Sequence, residues 1–150
     1  MGTECIFCRI AAGTAPASVV RDEPLAMAFV DLRQFHAGHV LVIPKLHVPD
    51  VRSMDRETGA AVMEMVSDVA RAVSDEFPGE GQSIWHSVGE AGGQEVPHLH
   101  FHVHPRFAGD GMFRVYPDAP RLPDRATLDH YAARLRERGR ADGGSVEPVQ

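Results

Sequence analysis

Strict alternation is the dominant pattern in this chain. Residues 97–106 read Pro-His-Leu-His-Phe-His-Val-His-Pro-Arg, with single apolar residues separating four histidines. A period of two is that of a β-strand, so His98, His100, His102 and His104 are expected on one face and Leu99, Phe101 and Val103 in a core. Shorter strand-like runs occupy residues 18–21, 25–30, 39–44 and 82–88, with turn residues between them. The period becomes helical at residues 4–11, where Ile6, Phe7 and Ile10 recur. It is helical again over residues 55–77, where Val62, Met63, Val66, Val69, Ala70 and Val73 form one stripe. Asp55 is placed to cap that helix and Pro78-Gly79 to end it. A last, strongly charged helix is expected over residues 127–138, with Leu128, Tyr131 and Leu135 facing inward. Strands, then a long helix, then strands with hairpin-length loops predict an α+β fold. Its antiparallel sheet of about five strands would carry one long helix and a short N-terminal helix.

Composition narrows the class. The 150 residues suit one domain, expected over residues 1–138 with a C-terminal extension from residue 107 and a flexible tail over residues 139–150. A net charge of −6 argues against a nucleic-acid partner, which needs a basic field. No apolar run approaches the roughly 18 residues of a membrane span, and no signal-peptide pattern opens the chain. A cytoplasmic protein without a membrane partner is therefore expected.

The histidine row is the first candidate for chemistry. Imidazole titrates near neutrality and serves as nucleophile, acid, base or metal ligand. An outer face of an edge strand would mix Thr, Lys, Glu and Ser instead of repeating one residue type. His-x-His on a strand is also a metal-binding geometry, so a catalytic metal on His100, His102 and His104 is one reading. Cys5 and Cys8 form a lone C-x-x-C, which suggests half a metal site or a redox pair. Residues 89–96 form a glycine-rich loop running into the histidines, where backbone N–H groups can approach a phosphate.

Four blocks together carry a resemblance. His98-Leu99-His100-Phe101-His102-Val103 fits a His-φ-His-φ-His-φ-φ motif, with His104 in the last, normally apolar, place. The others are Cys5-Ile6-Phe7-Cys8, the run from Gly38 through Pro44-Lys45 to His47, and Gly92-Gly93-Gln94. On these the chain resembles the histidine triad (HIT) family, in the bacterial branch with an N-terminal C-x-x-C, over residues 4–106. The resemblance implies a HIT-like fold and an enzyme cleaving at the α-phosphate of nucleoside phosphoramidates, adenylylated compounds or dinucleoside polyphosphates. His100 would be the nucleophile forming a nucleotidyl-histidine, with His102 and His39 facing the phosphate and Gln94 contacting it. Asp31 would bind ribose, Ile6, Phe7, Ile10, Phe29 and Leu32 would wall the base, and Gly93 would lie on the phosphate loop. Cys5, Cys8, His47 and His98 would hold a structural zinc, with no organic cofactor. The implied partners are a purine nucleotide or nucleotide conjugate and a second copy of the chain, joined through the long helix and a sheet edge.

Two positions depart from the family pattern: Ser87 stands where many members have asparagine, and Glu95 where a serine or threonine meets the leaving group. They keep open a nucleotide-binding protein with little turnover, beside the metal-dependent hydrolase.

Overall fold

Five strands build one antiparallel sheet: β1 (Val19–Asp22), β2 (Ala26–Val30), β3 (Val40–Pro44), β4 (Gly81–Trp85) and β5 (Phe101–Arg106). Their spatial order is β1-β2-β3-β5-β4, so the histidine strand is an interior strand. The computed structural model describes residues 5–112 and 118–141, in two compact units that divide between Met112 and Phe113.

Both faces of the sheet are covered, which explains why β2 and β3 read as unbroken apolar runs. Ala26, Ala28, Val40, Val42 and Val103 form one face, packed on α2 (Arg56–Glu76) through Val62, Met65, Val66, Val69 and Val73. Asp55 caps α2 as expected, its carboxylate accepting the Thr58 N–H at 2.9 Å. Met27, Phe29, Leu41 and Ile43 form the other face, against Phe7 and Ile10 of α1 (Ile6–Ala11). Two buried side chains of this kind contribute roughly 3–6 kcal/mol, little for holding a six-residue helix in place.

Three details differ from expectation. In α2 the buried methionine is Met65, while Met63 is 49% exposed, because the stripe follows Thr58, Val62, Met65, Val66, Val69 and Val73. β5 begins at Phe101, so His98 and His100 lie in the segment before it, where the Leu99 N–H donates to Val48 O at 2.7 Å. In the second unit, α3 (Arg125–Ala141) leaves Leu128, Tyr131 and Leu135 exposed rather than inward-facing. Arginines and acids flank these three residues in the sequence, so the apolar stripe of this helix is narrow. Residues 142–150 of the expected tail lie outside the described residues. Among the described residues, no helix is long and apolar enough to cross a membrane.

Candidate active site and metal centre

Register places the histidines. β3 pairs Leu41 with His102, and β4 pairs Trp85 with His102 and Ser83 with His104. These residues therefore share the α1-side face of the sheet, where Phe7 packs edge-on to His100 with ring centroids 5.2 Å apart. Phe7 of α1 packs on His98 and His100, and His36, His39 and Trp85 surround His104, so these three are each less than a tenth accessible.

Backbone carbonyls determine which nitrogen carries the proton on His100 and His39, and His39 in turn determines it on His102. His100 donates Nδ1–H to the His98 carbonyl at 2.7 Å, which leaves its Nε2 as a free lone pair. His39 donates Nδ1–H to the Arg33 carbonyl at 2.9 Å, so its Nε2 accepts. The donor to that nitrogen is His102 Nδ1, 2.9 Å away, leaving His102 Nε2 also as a lone pair. Trp85 stacks flat on His102, with centroids 4.3 Å apart and planes 5° off parallel. Burial, with the neighbouring His100, His39 and Arg33 adding to it, pushes the His102 pKa down to about 3. Burial likewise lowers His100. Both rings are thus held neutral near pH 7.

A cavity of about 360 Å³, within the size range of small-molecule sites, opens beside these rings. Ile6, Phe7, Ile10, Phe29, Leu41 and Val96 give it apolar walls; Asp31, Leu32 and Arg33 form a further part of its lining. All six residues predicted for the base and ribose are among these. Leu32 touches the cavity while fully exposed, and Asp31 is buried. The Asp31 carboxylate accepts the Arg33 N–H at 2.7 Å and lies 3.7 Å from His39 Nε2. Phe7 and Asp31 therefore belong to both the cavity and the histidine cluster.

Gln94 is placed differently from its predicted role. Its amide N–H groups donate to the carbonyls of Pro49 and Val96, at 2.6 and 3.1 Å, and its Oε1 accepts the Gly89 N–H at 2.8 Å. The side chain is committed to shaping the glycine loop. In that loop Gly93 adopts φ +90° after the short turn Glu90–Gly92.

At the other end of the histidine segment lies a second cluster. The ligand atoms of Cys5, Cys8, His47 and His98 all fall within 4.8 Å of one another. Tetrahedral zinc with ordinary bond lengths separates two nitrogens by about 3.3 Å and a nitrogen from a sulfur by about 3.6 Å. Here the two Nδ1 atoms are 3.2 Å apart, and the sulfur–nitrogen distances are 3.4, 3.2 and 3.5 Å. His98 donates Nε2–H to the Pro44 carbonyl at 2.8 Å, which orients its Nδ1 lone pair into the cluster. The four residues fit a metal ion. The set Asp31, His39 and His102 is also close-knit, but its 2.9 Å His–His contact has the length of a hydrogen bond and is shorter than the roughly 3.3 Å between two nitrogens on tetrahedral zinc. Neither cluster contains His100 or His104.

His104 is 1% exposed; its Nδ1–H donates to the Pro105 carbonyl at 2.7 Å, and its Nε2 has no partner among the described residues. Gln34, not anticipated from sequence, organises the loop carrying Asp31, Arg33 and His39. Its Nε2 donates to the carbonyls of Asp31 and His39, at 2.7 and 2.9 Å, and its Oε1 accepts from Gly38 N and His39 N, at 2.9 and 3.1 Å. His86 was also missed: it donates Nδ1–H to the His100 carbonyl at 3.1 Å and accepts the Val51 N–H on Nε2. A polar residue in a loop or at a strand end gives no sequence signal for such bonds.

Comparison with known proteins bears on the family and the fold. A model of the HIT domain matches residues 12–109, a stretch that begins after Cys5 and Cys8. The chain is 40% identical over 113 residues to Protein hit of Bacillus subtilis, covering 75% of this chain and 78% of that one. It is 32% identical over 121 residues to adenosine 5'-monophosphoramidase hnt1 of Schizosaccharomyces pombe, covering 80% and 88%. A solved HIT family member from Bacillus subtilis has TM-score 0.84 at 34% identity, covering 90% of this chain and 96% of that one. A zinc-bound histidine triad family protein from Mycobacterium smegmatis has TM-score 0.68 at 33% identity, covering 91% and 99%. With a domain match over most of its length and the same open five-stranded sheet, this chain belongs to the HIT family.

Proposed function

We propose that this protein is a nucleotide hydrolase or transferase acting at the α-phosphate through a nucleotidyl-histidine on His100. Its substrates would be nucleoside phosphoramidates, adenylylated compounds or dinucleoside polyphosphates. The observation carrying this reading is the 2.7 Å bond from His100 Nδ1–H to the His98 carbonyl, which leaves Nε2 unprotonated on a ring packed against Phe7, a wall residue of a nucleoside-sized cavity. The related protein hnt1, an adenosine 5'-monophosphoramidase, supports the substrate class.

In the first step, His100 Nε2 attacks phosphorus and the bond to the leaving group breaks with its electron pair. The leaving group takes a proton that His102 Nε2 has drawn from solvent in the field of the anionic phosphate. Trp85, stacked on that ring, favours its transient positive charge. In the second step, water attacks phosphorus, its proton goes to His102 Nε2, and the electron pair returns to His100. Splitting the reaction in two avoids one direct and more difficult displacement. His39 fixes the tautomer and orientation of His102, and Asp31 supplies a buried acceptor for ribose. Gly93 lies on the loop beside the phosphate, and Gln94 holds that loop.

Cys5, Cys8, His47 and His98 would hold zinc in a closed shell, a role the zinc-bound relative supports. Zinc there would tie α1 to the segment whose carbonyl orients His100. We also assign a second copy of the chain as partner, seated on the groove between α2 and β4 where Met63 and Ile84 are exposed.

Quenched-flow trapping with labelled adenosine 5'-phosphoramidate tests the chemistry. The expected result is an acid-labile, base-stable adenylyl adduct that is lost in His100→Ala while nucleotide binding persists. Turnover without an adduct, or full activity of His100→Ala, would sink the mechanism.

A further inference from the structure

Among the described residues lining the cavity, Arg33 is the one that is permanently cationic. Its main chain is pinned: the N–H donates to Asp31 Oδ1 and the carbonyl accepts from His39. Its side chain reaches across the entrance to the glycine loop and forks onto Glu95, with Nη1–Oε1 at 3.2 Å and Nη2–Oε2 at 2.9 Å. Its Nε also lies 4.0 Å from Asp31 Oδ1. A two-pronged guanidinium–carboxylate contact has the geometry with which arginine holds a phosphate.

This pair is built to open. The side chains of Arg33 and Glu95 are 72% and 68% exposed, and an ion pair in water is weak. Glu95 stands between Gln94, whose amide is held by three backbone groups, and Val96, which lines the cavity. The contact is felt on both sides of the entrance. Glu95 is lowered by its bond to Arg33, and His102 is depressed by burial first and by Arg33 among its charged neighbours.

We propose that Arg33 is an anion-binding residue of this cavity and Glu95 its internal competitor, so that the pair ranks ligands by the negative charge they carry. The proposal rests on the nucleotide reading above. An entering phosphate takes the guanidinium from Glu95, and the released carboxylate returns to water with little desolvation to overcome. Charge beyond the α-phosphate strengthens the exchange, because a second phosphate competes for the fork more strongly than one carboxylate. Glutamate at residue 95 thus lowers the affinity of every ligand that must take the guanidinium, by the strength of the ion pair it breaks, and leaves an uncharged ligand untouched.

Calorimetric titration of the full chain with adenosine, AMP and ADP tests this, since the three share base and ribose and differ in charge. The expected results in Glu95→Gln are AMP and ADP affinities raised by up to about fivefold, the worth of an exposed ion pair, and adenosine unchanged. Arg33→Gln should weaken ADP most and adenosine least. In the double variant, the Glu95→Gln gain should vanish. A gain of equal size without Arg33 would overturn the proposal by making Glu95 a source of plain repulsion, as would ADP binding that Arg33→Gln leaves unaltered. Wild-type protein that binds none of the three would instead overturn the nucleotide reading itself, and the proposal with it.

Discussion

Replacing His104 with leucine should stabilise this protein. His104 is almost fully buried with Nε2 unpaired among the described residues, and an unpaired buried acceptor costs about 1–3 kcal/mol. The substitution gives up the Nδ1–H bond to the Pro105 carbonyl, worth about 0.5–1.5 kcal/mol, and leaves a side chain of similar bulk between His36, His39 and Trp85. The net expectation is a gain of about 1 kcal/mol, or a Tm higher by about 2–4 °C for a chain of this size. The gain should depend on pH. Burial first, then the charges that can face the ring on His39, His36 and Arg106, hold the His104 pKa below its ordinary 6.5. A group with a lowered folded pKa adds stability above its unfolded pKa and loses it as pH falls, because the unfolded chain binds the proton more readily. His104→Leu removes that loss, so its advantage should widen below pH 6.5. Urea unfolding of both proteins at pH 8 and pH 5.5 measures this. A variant less stable at pH 8, or an advantage that shrinks in acid, would refute the reasoning and mean that Nε2 is satisfied in solution.

Two further outcomes are expected. Stripping metal with a chelator, or substituting Cys8→Ser, should release one zinc per chain and speed hydrogen exchange over residues 6–11 before the sheet opens, since Phe7 and Ile10 alone hold α1 weakly; an unchanged exchange pattern would refute it. Gly38→Ala should cost about 2–4 kcal/mol in urea unfolding, because φ there is +103° and a Cβ would sit 2.8 Å from the Phe77 ring; a loss below about 0.5 kcal/mol would contradict that packing.

Periodicity alone determined much of this molecule. The alternation of the histidine segment, the unbroken apolar runs of β2 and β3, the capped amphipathic run of α2 and the turn residues between them specify an antiparallel α+β sheet, because side-chain period reports which faces are buried. The motif residues also announced a histidine chemistry, and spacing let Cys5 and Cys8 be read as half of a metal site. Sequence could not say that β5 is interior or that α1 covers the histidine face. That depends on strand order, a long-range property, and it turns an apparently polar face into a buried one. Nor could it rank four equivalent-looking histidines. Their differences arise from the partner of one ring nitrogen: Pro44's carbonyl for His98, His98's own carbonyl for His100, His39 Nε2 for His102 (itself set by Arg33's carbonyl) and Pro105's carbonyl for His104. Each partner is positioned by the local fold, and it determines which ring nitrogen keeps its lone pair. Gln34 and the Arg33–Glu95 fork were silent for the same reason: their partners are brought together only when the loops close around the sheet.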